Sequence, residues 1–124
     1  MPMFNANTVR ALGLEYGGYD ASRQAKINKK TQDAYFVSFY GLSADTYVVI
    51  FDDLSASDEA KERLGKNPVL VELLMTANWI KEGLCFFSLG GKFKLNPKTV
   101  AKWCWGYSEA IGMLYSKKVN ARIE

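Results

Sequence analysis

The sequence predicts an all-α fold, a small bundle of about five helices that contains a helix-turn-helix. Three observations carry that prediction. Apolar residues recur at the i, i+3, i+4, i+7 spacing of a buried helix face through most of the second half. Helix starts are marked at Ser43, Asn67 and Asn96, and Gly41 and Gly83 follow the periodic stretches as stops. Between Cys85 and Tyr115 a short apolar segment, a tight connection and a long amphipathic segment follow one another, which is the order of a helix-turn-helix.

Residues 1–30 read as an irregular N-terminal segment. Gly13, Gly17 and Gly18 interrupt it around Tyr16 and Tyr19, leaving room for one helical turn near Thr8–Leu12. The helical domain is expected over residues 31–124. Its first helix, capped within Thr31-Gln32-Asp33, carries Ala34, Tyr35, Phe36, Phe39 and Tyr40 and stops at Gly41. Ser43 caps the next, with Thr46 three residues on and Tyr47, Ile50, Phe51 and Leu54 along one face. The β-branched run Val48-Val49-Ile50 would also suit a strand; the cap and the spacing decide for helix.

Ser55–Lys66 is polar and acidic and reads as a loop, or as a solvated helix broken at Gly65. Asn67-Pro68 opens a helix whose apolar face is Leu70, Leu73, Leu74, Ala77, Trp79 and Ile80, ended by Gly83. Cys85–Phe93 is apolar enough for one short helix, although Gly90-Gly91 weakens it. Asn96 then caps a long helix, with Pro97 in its first turn, that runs to about Tyr115. Its core stripe is Val100, Trp103, Cys104, Tyr107, Ile111 and Leu114. The core is expected to centre on Leu70, Leu74, Phe93, Val100, Trp103, Tyr107 and Ile111.

Composition prunes the chemistry. With 48% hydrophobic and 23% charged residues, the 124-residue chain is an ordinary globular domain. It is expected to be soluble, because no apolar run approaches the roughly 18 residues of a membrane span. The start Met1-Pro2-Met3-Phe4-Asn5 lacks the regions of a secretory signal. Histidine is absent, which removes the commonest general base and metal ligand. Cys85 and Cys104 are too few for a zinc site and read as free thiols of a reducing compartment. The acids Asp45, Asp52, Asp53, Asp58, Glu59 and Glu62 fall on or beside helices and receive no catalytic role. No enzyme activity, metal or cofactor is expected.

Charge is unevenly distributed. Residues 1–35 carry five basic and three acidic side chains, residues 36–66 three and six, and residues 67–124 eight and four. Lys92, Lys94, Lys98 and Lys102 fall within eleven positions with no acid between them. In "FSLGGKFKLNPKTVAKW" (Phe87–Trp103), Leu89, Phe93, Leu95 and Val100 are the expected buried contacts of a helix-turn-helix. Asn96, Lys98, Thr99 and Lys102 then face outward, and with Lys94 and Lys92 they form the candidate DNA-binding set. Arg23, Lys26, Lys29 and Lys30 read as polar loop in preference to a phosphate-gripping arm. Trp105 lies off the core stripe, on the side of Ala101 and Ser108. It is either a candidate partner surface or covered by the N-terminal segment.

"FYGLSADTYVVIFDDL" (Phe39–Leu54) followed by "LVELLMTANWIKEGLCFFSLGGKFKLNPKTVAKWCWGYSEAI" (Leu70–Ile111) resembles the N-terminal region of Harbinger-like DDE transposases. These include the transposase-like reading frames abundant in algal and other protist genomes. The likeness spans roughly residues 29–118 and lies in the serine start of one helix, the "LLM…WIK" helix and "F.L…KTV.KW.W….AI". It implies a helical module that binds double-stranded DNA ahead of a catalytic RNase-H-like domain, and a nuclear location in a eukaryote. This sequence departs from the pattern in carrying Lys94 where glycine is common and Gly90-Gly91 in the bracing helix. The region in which the catalytic domain is expected lies beyond Glu124. The alternative function is a non-enzymatic structural or interaction subunit of a larger assembly, with a protein partner in place of DNA.

Overall fold

The computed structural model describes residues 3–123, with side chains as far as Ser116; Met1, Pro2 and Glu124 lie outside the described residues. Among the described residues there are eight helices and no strand: α1 (Ala6–Tyr16), α2 (Ala21–Gln24), α3 (Lys29–Tyr40), α4 (Ala44–Ala56), α5 (Asp58–Leu64), α6 (Leu70–Glu82), α7 (Phe86–Phe93) and α8 (Pro97–Ile123). The all-α class is as expected, with more helices than the five anticipated. Among them no single helix is long and apolar enough to cross a membrane.

Local chemistry accounts for most helix starts. A side-chain oxygen accepts an otherwise unpaired N–H at Asn5, Asp20, Asn28, Ser43, Ser57 and Asn96. Asn28, rather than Thr31, therefore opens α3. Ser43, Gly41 and Gly83 act as the sequence predicts. α6 begins at Leu70 instead of at Pro68, because Val69 is extended and has no side-chain cap. Its N–H donates to Tyr107 Oη at 2.8 Å, so α8 supplies what the start of α6 lacks. α8 continues past Tyr115 to Ile123, a stretch without proline or glycine to stop it.

The N-terminal thirty residues are the largest correction. They hold two helices, α1 and α2, and α1 packs against α3 and α4 with Val9 and Leu14 fully buried. Gly13 is not a breaker but a contact point. A Cβ there would enter the Phe36 ring, and the Gly13 carbonyl accepts the buried Tyr40 hydroxyl at 2.6 Å. Ser55–Lys66 takes the second of its two readings, a helix ended at Gly65. α5 buries Ala60 and Leu64 and packs along α8.

One core runs through both ends of the bundle. α1, α3 and α4 contribute Val9, Leu14, Phe36, Tyr40, Tyr47, Phe51 and Leu54. α6 joins α1 and α3 to α7 and α8, and α5 packs on α4 and α8; the buried side chains there include Leu64, Leu89, Phe93, Val100, Cys104 and Tyr107. Two residues expected at the centre lie at its margin. Trp103 and Ile111 are only partly buried, and Ala110 and Met75 are inside in their place.

Candidate nucleic-acid interface

The segment from α7 to α8 is built around one glycine. Leu95 N–H donates to the Gly90 carbonyl at 2.9 Å, so the chain turns back over the end of α7. A Cβ at Gly90 would lie 2.5 Å from the Leu95 carbonyl oxygen, so no side chain fits there without opening the turn. The turn also needs a left-handed residue, and Lys94 supplies it at φ 60°, ψ 43°. Leu89, Phe93 and Val100 are buried beneath the turn and Leu95 is half-buried, as the pattern predicts.

Asn96 is exposed, but its Oδ1 accepts the Lys98 N–H at 2.8 Å, so its primary role is to cap α8. Lys98 and Lys102 are exposed one helical turn apart; Thr99 beside them is half-buried. The Lys102 ammonium lies 4.7 Å from the Trp103 ring centroid. Lys94 is exposed and shares a shallow groove with Glu15, Tyr16 and Gly18.

Lys92 is the exception among the candidate residues. Its Nζ donates to Asn78 Oδ1 at 3.0 Å and lies 3.4 Å from Glu82 Oε2 and 5.4 Å from the Phe39 ring centroid. Asn78 is fully buried and also donates to the Phe39 carbonyl at 2.8 Å. Lys92 is thus part of the joint between α7, α6 and α3 and is removed from the DNA-contact set. Burying Asn78 requires partners for both ends of its amide, and Lys92 fills one of them.

Trp105 remains 56% exposed, while α1 packs against α3 and α4. Its ring meets Trp79 at 5.1 Å with an interplanar angle of 72°, and Trp79 in turn rests against Phe86 at 5.5 Å. Two further features escaped the sequence reading. Phe87 is 79% exposed. Lys66, from the loop before α6, holds its ammonium 3.9 Å from the Trp103 ring centroid and 2.7 Å from Glu72 Oε2. Nothing in the spacing of Lys66 ties it to Trp103, 37 chain positions away; the contact is purely tertiary.

The remaining reactive groups are dispersed. Asp52 Oδ1 accepts the Met3 N–H, and Asp53 Oδ2 accepts the Tyr115 hydroxyl. Among the described residues no three His, Cys, Asp or Glu side chains converge as a metal site requires. Both cysteines are free thiols. Burial pushes Cys104 up to about 11. The Ser88 hydroxyl, 3.3 Å from the exposed Cys85 sulfur, holds that thiol below its usual range. Arg23 belongs to α2, where its guanidinium donates to the Gly18 carbonyl, and Lys29 and Lys30 open α3; all three are exposed.

Comparison with protein-family models, with curated proteins and with solved structures returns no match to this chain.

Proposed function

We propose that this chain is a non-catalytic DNA-binding domain that contacts duplex DNA through the N-terminal half of α8. One observation carries the proposal. Lys98 and Lys102 stand exposed on one face of α8, directly after a tight turn braced by α7, with Asn96, Thr99 and Lys94 beside them. In a helix-turn-helix the bracing helix sets the angle at which the second helix enters the major groove. Lysines at its start meet phosphates or guanine edges, and neutral donors such as Asn96 and Thr99 suit backbone or adenine contacts. Lysines at a helix N-terminus oppose the helix dipole, an arrangement that an external anion relieves. The resemblance to the Harbinger-like transposase module supports the same ligand. In a eukaryotic cell a DNA ligand implies a nuclear location.

The test is fluorescence anisotropy on random duplex at low and moderate salt. Affinity is expected to fall steeply with salt, by about one unit of slope for each phosphate contact. Lys98→Glu with Lys102→Glu is expected to abolish binding while leaving helical circular dichroism unchanged, because neither side chain belongs to the core. Binding untouched by the double reversal would overturn the proposal.

A second reading, a structural subunit of a larger assembly, is favoured by a different surface. Leu42 and Ile80 stay exposed at the rim of an apolar groove of about 380 Å³ floored by Tyr47, Leu73 and Ile111. On that reading, Leu42→Ser or Ile80→Ser would weaken self-association in sedimentation and leave DNA affinity unaltered.

A further inference from the structure

Among the described side chains, the exposed positions of α8 after Pro97 form one regular line: Lys98, Lys102, Trp105, Glu109, Gly112 and Ser116. The spacing alternates four and three, so these side chains share a single face of the helix. Its N-terminal half therefore presents two ammonium groups and then an indole, with no acid among them. At 1.5 Å per residue, Trp105 stands about 4.5 Å beyond Lys102 and about 10 Å beyond Lys98 along the axis. The indole is also fixed in place. Trp79 meets it at 72° and is itself held by Phe86, so the ring keeps its orientation while 56% of the residue faces solvent.

A rigid exposed aromatic ring in line with cations on one side matches the requirements of a nucleic-acid strand whose bases are free to stack. The cations take the phosphates, and the ring takes a base face. A paired base is covered above and below by its neighbours and offers no such face. We infer that Trp105 is a stacking platform for an unpaired DNA base, with Lys98 and Lys102 holding the flanking phosphates of the same strand. The inference rests on the DNA-binding reading and narrows it to single-stranded or opened DNA at this end of the interface. Glu109, the next residue along the line, limits the site. Its carboxylate already pairs with Arg63 at 3.2 Å, so the cations free to take phosphates lie on the Lys98 side of the ring and the strand tracks from Trp105 back toward Lys98.

The test compares two probes by anisotropy at low salt: an oligothymidylate of about twenty nucleotides and a blunt duplex of equal length. Trp105→Ala is expected to weaken the single strand by roughly ten- to a hundredfold and to change duplex affinity by less than about threefold. Trp105→Phe keeps a ring and should retain most of the single-strand affinity. The Lys98→Glu, Lys102→Glu protein should lose both ligands. Circular dichroism of each variant checks that the fold is retained. Single-strand binding unchanged by Trp105→Ala overturns the platform, as does an equal loss on both probes. A wild-type chain that binds duplex but not the single strand overturns the platform and leaves duplex binding standing; one that binds neither overturns both. Self-association that Trp105→Ala abolishes, without single-strand binding, would assign the ring to a protein contact instead.

Discussion

The Lys92 ammonium of α7 donates to the buried Asn78 amide oxygen of α6 at 3.0 Å, which locks the bracing helix to the centre of the bundle. Removing Lys92 leaves the buried Asn78 amide oxygen without this partner, at a cost of about 1–3 kcal/mol. Lys92→Ala is therefore expected to lower the urea midpoint while leaving the salt dependence of DNA binding unchanged. Lys98→Ala and Lys102→Ala should do the reverse. Three lysines of similar appearance in the sequence are thus separable by two measurements.

The turn between α7 and α8 makes an opposed pair of predictions. Gly90→Ala places a Cβ against the Leu95 carbonyl, which is backbone and cannot step aside; the turn must open, at a cost of about 1–3 kcal/mol. Lys94→Gly relieves a left-handed lysine and is expected to stabilise by about 0.5–1 kcal/mol. Urea denaturation of both variants checks the signs. A neutral Gly90→Ala would mean that the Leu95 carbonyl does not sit over Gly90.

Much of this architecture is legible in the sequence, and the exceptions have physical causes. From Ser43 onward, caps, stops and apolar spacing agree with one another, so α4, α6 and α7 are recognisable with small errors at their ends, and α8 in all but its last two turns. α1 is hidden because Gly13 and Gly17 look like breakers. Their actual function is close approach, to the rings of Phe36 and Phe39, and that depends on a helix distant in the chain. α5 is legible only as one of two readings, because only Ala60 and Leu64 of its seven residues are buried. In the candidate site the outward line of Lys98, Lys102 and Trp105 follows from helical period alone. That Lys92 turns inward does not, since only the packed structure brings Asn78 beside it.

Alkaline pH is expected to destabilise the fold through its tyrosines. Burial raises Tyr40 and Tyr107, and it pushes Tyr47 up to about 12. Tyr115, beside Asp53, is also pushed up to about 12, mainly by burial. In the unfolded chain each would ionise near pH 10. Between about pH 10 and the raised folded values, the unfolded state has therefore lost protons that the native state keeps. Stability from these groups is complete below about pH 10 and falls as pH rises above it. Urea midpoints at pH 8, 10 and 11 should show the decline, and Tyr40→Phe should make it shallower, because phenylalanine cannot ionise in either state.

The last prediction concerns catalysis. Nicking or joining DNA with two metal ions requires carboxylates that converge on one point and leave coordination sites open. Asp52 and Asp53 are adjacent on α4, so their side chains diverge by about a quarter of a turn. Asp52 accepts the Met3 N–H at 3.1 Å, which ties down the chain ahead of α1. Asp53 accepts the Tyr115 hydroxyl at 2.9 Å, which ties α4 to α8. Both carboxylates have structural partners in different directions. With no histidine in the chain to serve as base or ligand, the purified protein is expected to leave supercoiled plasmid intact in Mg²⁺ or Mn²⁺. Asp53→Ala should instead lower thermal stability by about 1 kcal/mol through loss of the Tyr115 hydrogen bond. Metal-dependent nicking that disappears in Asp52→Ala or Asp53→Ala would reverse this conclusion and make α4 the place to search for a third ligand.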